Sequence, residues 1–284
     1  MSDQTSHAQQ PASGAPKTLA VQIAEAKGRL EKKLLSEGPG GFLDELNRIA
    51  AKGTDVRLLC NQLIRETAGK DPKKLVEVMS TKQGLMSIID CAVRAARVGF
   101  QFDGQQAYPV PFRVKGVMVY QFVPGYKGWV LAMNEQPEVA SVDAQLVYSN
   151  DKFKLDLMNP SKCIHEPALD DRGEVVFGYM IARMVKGGAP VIYPMDRKKL
   201  DEAVVGTSDA WQKHPEPMWI GCLFRRGHSK VPMRPGSRLS TLSEISSEVD
   251  QGVGTDLAKS VVMESTEVTT GDDSDAIEPE VMPA

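Results

Sequence analysis

The sequence predicts an α+β fold: a small antiparallel, twisted sheet with helices packed on it. Two observations carry this. Helical periodicity recurs from residue 19 to residue 98, a two-residue period runs from Tyr108 to Val191, and helical stretches return after it. That order lacks the strand–helix alternation of a parallel sheet. Most links between the strand-like segments are short, which favours antiparallel pairing. A chain of 284 residues with 42% hydrophobic content also has enough apolar side chain to bury a sizeable core.

Residues 1–18 are rich in Gln, Ser, Pro, Ala and Gly and are expected to be disordered. Residues 19–35 read as a helix with a charged face, broken by Gly38-Pro39-Gly40-Gly41. Residues 44–51, 55–68 and 72–79 are further helices, the last started by Asp71 as N-cap and Pro72 at its first position. In the helix over 81–98, Leu85, Ile88, Ile89, Ala92 and Ala96 form one stripe, with Asp90, Arg94 and Arg97 opposite. Gly99 ends it.

The segment from Ala107 to Trp129 is the most informative. Tyr108, Val110 and Phe112 share one face of a strand. Pro109 and Pro111 remove backbone donors from one edge, which marks an edge or bulged strand. Residues 113–116 are the turn, and Met118, Tyr120 and Phe122 align on the return strand. Gly125-Tyr126-Lys127-Gly128 then opens a helix through Trp129, Leu131 and Met133. A cation and an aromatic at a helix N-terminus suit a phosphate and a base. Residues 139–147 and 175–184 alternate as strands, with Phe153, Leu155 and Leu157 alternating between them. Ser149-Asn150-Asp151 and Asp170-Asp171-Arg172-Gly173 are turns, and 196–204 and 217–226 are helices. No internal repeat is present.

Net charge is −3, distributed unevenly. Residues 239–284 hold eleven acids against Lys259 and carry −10, so residues 1–238 carry +7. A core over 19–238 and an acidic, disordered tail over 239–284 follow from this. A basic body suits a polyanion, and a tethered acidic tail suits a partner or autoinhibition; a solvated body with a solubilising tail fits the same numbers. Cys60, Cys91, Cys163 and Cys222 form no Cys-x-x-Cys pair and read as free thiols in a reducing compartment. Cys163 with His165, and Cys222 between His214 and His228, miss zinc spacing. No metal or other cofactor is expected. A polar N-terminus and the lack of any run near ~20 apolar residues point to the cytoplasm, away from membranes.

Cations at element ends are the candidate polyanion contacts. Lys127, and Arg197, Lys198 and Lys199 at a helix start, oppose the helix dipole, which an incoming anion would relieve. Arg225 and Arg226 close a nearly all-apolar helix, where the dipole alone also favours them. Lys230, Arg234 and Arg238 continue that stretch, and Lys115, Lys152 and Lys154 lie in hairpin turns. Each also reads as a solvated surface charge, the ordinary state of single lysines such as Lys115, Lys152 and Lys154. Tyr108, Phe112, Tyr126 and Trp129 are stacking candidates or core, Tyr126 being favoured for stacking because its glycine neighbours suggest exposed backbone. No phosphate-binding Gly-x-x-x-x-Gly-Lys-Ser/Thr loop, Gly-x-Ser-x-Gly elbow or His-Glu-x-x-His occurs, so no catalytic residues are assigned. Asp143, Asp156, Asp170 and Asp171 suit turns and surfaces better than a nuclease metal set.

Ala107-Tyr-Pro-Val-Pro-Phe112, the hairpin, and Gly125-Tyr-Lys-Gly-Trp129 together resemble the RecT family of phage-type single-strand DNA annealing proteins. The helix ending at Gly99, the Tyr179–Gly188 strand and turn, Pro194–Val204 and Pro217–Pro232 follow the family's order and spacing over roughly residues 50–235. Two departures stand out: Gly221-Cys222-Leu223-Phe224 replaces the usual Lys-Thr approach to the paired arginines, and Lys127 stands where arginine is usual. The resemblance implies ATP-independent annealing of complementary strands in recombination, with single-stranded DNA and the annealed duplex as partners. It also implies assembly into rings or helical filaments, and work beside a 5′–3′ exonuclease and a host single-strand binding protein. A metal-dependent nuclease and a non-enzymatic scaffold are the rival readings.

Overall fold

The structure, a computed structural model, describes residues 17–203 and 209–251. The disorder expected over 1–16 and 252–284 lies outside those residues.

Five helices open the fold: α1 Leu19–Leu34, α2 Phe42–Ile49, α3 Val56–Gly69, α4 Pro72–Met79 and α5 Lys82–Val98. Side-chain caps set three of their starts. Asp55 accepts from the Leu58 amide at 2.9 Å, Asp71 from Lys74 at 3.3 Å and Thr81 from Gly84 at 2.9 Å, each satisfying an otherwise orphaned first-turn donor. Gly99 ends α5 in the left-handed region, at φ 77°.

α5 is the central element. Ile88, Ile89, Cys91, Ala92, Ala95, Ala96 and Val98 are all fully buried, so apolar residues cover most of its circumference. On the polar side at Asp90, Arg94 and Arg97, the two outer residues stay partly exposed while the middle one is covered. Arg94 is only 1% exposed.

The hairpin pairs β1 Ala107–Val114 with β2 Val117–Pro124 through Lys115 and Gly116, at φ 49° and 83°. Two residues with positive φ make the tight primed turn that matches strand twist, so the loop is shorter than the four residues the sequence suggested. With Val114 and Val117 closing the turn, bonded pairs recur at Phe112–Val119, Val110–Gln121 and Tyr108–Val123. Pro109 and Pro111 therefore fall where the missing donors would point away from β2. The edge expected from those prolines is present, and the ladder loses nothing to them. Met118, Tyr120 and Phe122 bury the other strand on α5, and the Tyr120 amide donates to Ser87 Oγ at 2.9 Å.

The hairpin stays separate from the main sheet. β3 Val139–Tyr148, β6 Val175–Met184 and β7 Val191–Asp196 form an antiparallel sheet in the order β3-β6-β7. A second pair, β4 Lys152–Lys154 and β5 Ile164–Glu166, lies on the excursion between β3 and β6. One sheet face contributes Val142, Ala144, Leu146, Met180 and Met195 to the main core. The other carries Val147, Tyr179 and Ile192, covered by Phe153, Leu155 and Cys163 of the excursion.

A buried carboxylate pins that excursion. Asp151 accepts from the Tyr148 and Ala168 amides at 3.0 Å, from Arg172 Nη2 at 2.6 Å and from His165 Nε2 at 3.0 Å. The Arg172 guanidinium holds its pKa well below the usual carboxylate range.

The remaining helices are α6 Tyr126–Asn134, α7 Arg197–Glu202, α8 Asp209–Lys213, α9 Pro215–Gly227 and α10 Arg238–Asp250. α10 corrects the expected boundary at 239. Ser237 caps it, and Leu239, Leu242 and Ile245 are fully buried. Its Glu248 meets Arg94 at 2.8 Å and Arg97 at 3.4 Å, while Arg94 also bonds Asp90 at 2.6 Å and the Ile245 carbonyl at 3.3 Å. Arg238 donates at 3.0 Å to the Val98 and Gly99 carbonyls at the end of α5. The i, i+3 apolar repeat of α10 lies among serines and acids, a composition that reads as tail although its period is helical.

Candidate nucleic-acid interface

α6 leaves directly from the base of the hairpin and lies beside α9. Tyr126 stacks over Phe224 with centroids 6.2 Å apart and planes 19° from parallel, and Trp129 stacks over His228 at 4.6 Å and 27°. Both partners advance in the same direction, so the two helices run parallel along this contact. The start of α6 is thereby placed beside the last turns of α9.

The glycines bracketing Tyr126 and Lys127 act by close approach. Both are buried. A Cβ on Gly125 would lie 2.2 Å from the Gln105 carbonyl oxygen, and one on Gly128 would lie 2.5 Å from that of Gln106 and 2.7 Å from the Phe100 ring. The expectation of exposed backbone here is corrected. The helix start is seated on the Gln105–Gln106 backbone, and only the side chains between the glycines project outward.

Tyr126 is 43% exposed. Lys127 is exposed, and its ammonium donates to Gln105 Oε1 at 2.9 Å. Among the described residues no carboxylate neutralises it. The other aromatics differ. Trp129 is 1% exposed and belongs to the core. Tyr108 is half-buried, donates its hydroxyl to the Gly104 carbonyl at 2.5 Å, and has its pKa pushed up mainly by that burial. Phe112 is 39% exposed but sits towards the hairpin tip with Lys115. An eight-residue strand separates that tip from Tyr126 by about 25 Å.

Arg225 and Arg226 are both exposed at the end of α9. They line a groove of about 490 Å³ against α10, facing Ser243, Ser247 and Asp250. Arg225 pairs with Asp250. Arg226 makes no ion pair among the described residues, nor does Lys230 just beyond.

Five of the other candidate cations have acidic partners. Arg197 pairs with Asp201 at 2.9 Å, donates to the Val175 carbonyl at 2.8 Å and lies 5.1 Å over the Trp219 ring. Lys198 is 4.0 Å from Glu202 across one helical turn. Lys152 pairs with Glu166 at 3.0 Å, Arg234 with Glu138 at 2.6 Å and Arg238 with Glu135 at 2.8 Å. The structure thus brings Tyr126 and Lys127 beside the helix end bearing Arg225 and Arg226. Arg197 lies against Trp219, about 10 Å back along α9, Lys198 projects from α7 beside Glu202, and Lys115 with Phe112 lies at the far end of the hairpin.

Among the described residues no group of three His, Cys, Asp or Glu side chains could hold a metal ion. Asp143 accepts from the Ala144 amide and Gln145 Nε2, Asp156 from the Met158 and Asn159 amides, and Asp171 from the Gly173 amide, all at 2.8 to 3.0 Å. Sequence reasoning missed two participants. Phe224 supports Tyr126, and α10 forms the second wall of the arginine groove; the i, i+3 spacing of Leu239, Leu242 and Ile245 was the available signal for the latter.

The RecT family model matches residues 64–231, more than half of the chain. Protein RecT of Escherichia coli (strain K12) is 26% identical over 158 residues, covering 52% of this chain. The match spans 58% of that protein's own length.

Proposed function

The chain belongs to the RecT family, and we propose that it binds single-stranded DNA and anneals complementary strands without nucleotide hydrolysis, acting in recombination in a bacterial cytoplasm. One observation carries the reading most directly. A part-exposed aromatic, Tyr126, followed in the chain by the exposed Lys127, is stacked on a second ring, Phe224, which is followed by the exposed Arg225 and Arg226. Aromatic platforms hold bases irrespective of sequence, and flanking cations hold phosphates.

In this reading Lys127 and Arg226 neutralise backbone phosphates and Tyr126 supports a base, leaving the pairing edges accessible. Two strands meeting in this state repel less and have lost part of their conformational entropy before they pair. No bond is made or broken, so no catalytic residue is required. Assembly of several copies along the strand, a 5′–3′ exonuclease and a host single-strand binding protein as partners, and recruitment of those partners by the acidic C-terminal segment belong to the same proposal. They rest on the resemblance to the family.

The test is annealing of two complementary fluorescent oligonucleotides in the absence of nucleoside triphosphate, with their lengths checked on a denaturing gel. Accelerated pairing of intact strands is expected. Strand shortening, or no acceleration, would falsify the reading.

A further inference from the structure

We infer that Asp250 is a displaceable competitor for a phosphodiester in the groove between α9 and α10, so that this arginine site carries its own acidic stop. The inference rests on the proposed single-strand binding and names how one part of that site is regulated.

The groove is chemically two-sided. Its α9 wall presents Arg225 and Arg226; its α10 wall presents the Ser243 and Ser247 hydroxyls; His228 lies between them. Guanidiniums facing hydroxyls suit a phosphate. His228 is held in place, its ring over Trp129 and its Nε2 3.0 Å from Ser243 Oγ. Burial lowers its pKa, so the positive charge of the groove comes from the two arginines.

Those arginines are in different states. Arg226 has no ion pair among the described residues. Arg225 is held by Asp250, at the end of α10. Both partners of that pair are about half exposed, at 48% and 57%, and exposed pairs of this kind are worth little and yield readily to a competing anion. Glu248, two residues earlier, is committed to Arg94 and Arg97 on the other side of α10, so it does not share this role. α10 is anchored by its buried Leu239, Leu242 and Ile245. α10 therefore carries Asp250 beside Arg225 and needs no mobile segment to bring it there.

The experiment compares single-stranded DNA affinity at low and moderate salt for wild type, Asp250→Asn, Arg225→Ala and the double variant, using a labelled homopolymeric oligonucleotide. Asp250→Asn is expected to tighten binding about two- to fivefold at low salt, the amount an exposed ion pair can withhold, and less at higher salt. In the Arg225→Ala background the same change should give no gain. Asp250→Glu, which keeps the charge, should stay near wild type. An equal gain with and without Arg225 would overturn the inference, since the acid would then act only through net charge. So would wild-type affinity in Asp250→Asn. Absence of binding by wild type would overturn the single-strand reading itself, and the inference with it. If Asp250→Asn lowers the thermal midpoint, Asp250→Ser replaces it in the same comparison.

Discussion

The Tyr126 ring rests on Phe224, 6.2 Å between centroids and 19° from parallel. The packing fixes the tyrosine at the start of α6 while leaving it 43% exposed. Base–aromatic stacking contributes roughly 1–3 kcal/mol per base. Tyr126→Ala is therefore expected to weaken single-strand binding about 5- to 150-fold, with Tyr126→Phe close to wild type. Fluorescence anisotropy titration checks both. Loss of affinity in the Phe variant would assign the effect to the hydroxyl instead of the ring.

Gly128 marks the closest approach of α6 to the preceding loop. Its substitution by alanine would place Cβ 2.5 Å from the Gln106 carbonyl oxygen. Overpacking of this kind costs about 1–3 kcal/mol. Gly128→Ala is expected to lower the thermal midpoint, whereas Gly221→Ala, with nothing within 4 Å of its Cβ, should not. Calorimetry of the two variants separates a packing requirement from a general intolerance of helical change.

Arg94 holds α10 to α5. Removing one member of a buried ion network leaves its partners uncompensated, at about 3–5 kcal/mol. Asp90 and Glu248 retain side-chain exposure of 19% and 33%, which places Arg94→Ala at the low end. A midpoint fall of roughly 6–12 °C is expected for a domain of this size. An unchanged midpoint would show that the buried Leu239, Leu242 and Ile245 hold α10 without the ion network.

Two truncations test where the core ends. Ending the chain after Arg238 removes three fully buried side chains, Leu239, Leu242 and Ile245. At ~2–5 kcal/mol for each large-to-small change, their loss approaches the whole stability of a typical domain, ~5–15 kcal/mol. That product should fail to fold cooperatively. Ending it after Gln251 keeps α10 and removes eight acids and one lysine. This shorter chain should melt like the full chain and bind DNA more tightly at low salt, the gain fading as salt screens the charge.

Asp151 supplies a pH signature. Arg172, the Tyr148 amide and His165 hold its carboxyl below the ordinary value. A folded pKa lowered relative to the unfolded chain adds stability above the unfolded value, near 4, which is lost as pH falls through the folded one. Wild type should therefore melt well above Asp151→Asn at pH 7, and the difference should narrow progressively below about pH 4. A constant difference across that range would assign the loss to hydrogen bonding alone.

The elements most legible in the sequence were those whose signals are local. Asp71-Pro72, Thr81 and Gly99 bound helices within a residue of expectation, and Pro109 and Pro111 marked the hairpin edge. The burial of Arg94 was not legible because helical period alone cannot say what covers a polar face; its partner, Glu248, lies 154 residues away. α10 was misread for the converse reason, composition outweighing period. The three-sheet division was hidden because alternation reports a strand but not its neighbour. At the candidate interface, Tyr126 and Lys127 were visible as a motif. Their seating on Gln105 and Gln106, and the role of Phe224, depend on contacts between elements about twenty and one hundred residues apart.

The closure of α5 by α10 also sets an order of events on the ribosome. Arg94 emerges 154 residues ahead of Glu248, an interval of about 8–30 s at 5–20 residues per second. By the end of that interval the nascent chain has made the hairpin, both cationic ends of the interface and the main sheet, but holds an arginine with its C-terminal acid still unmade. Among the described residues, the face of α5 destined for α10 is the last large surface to be sealed.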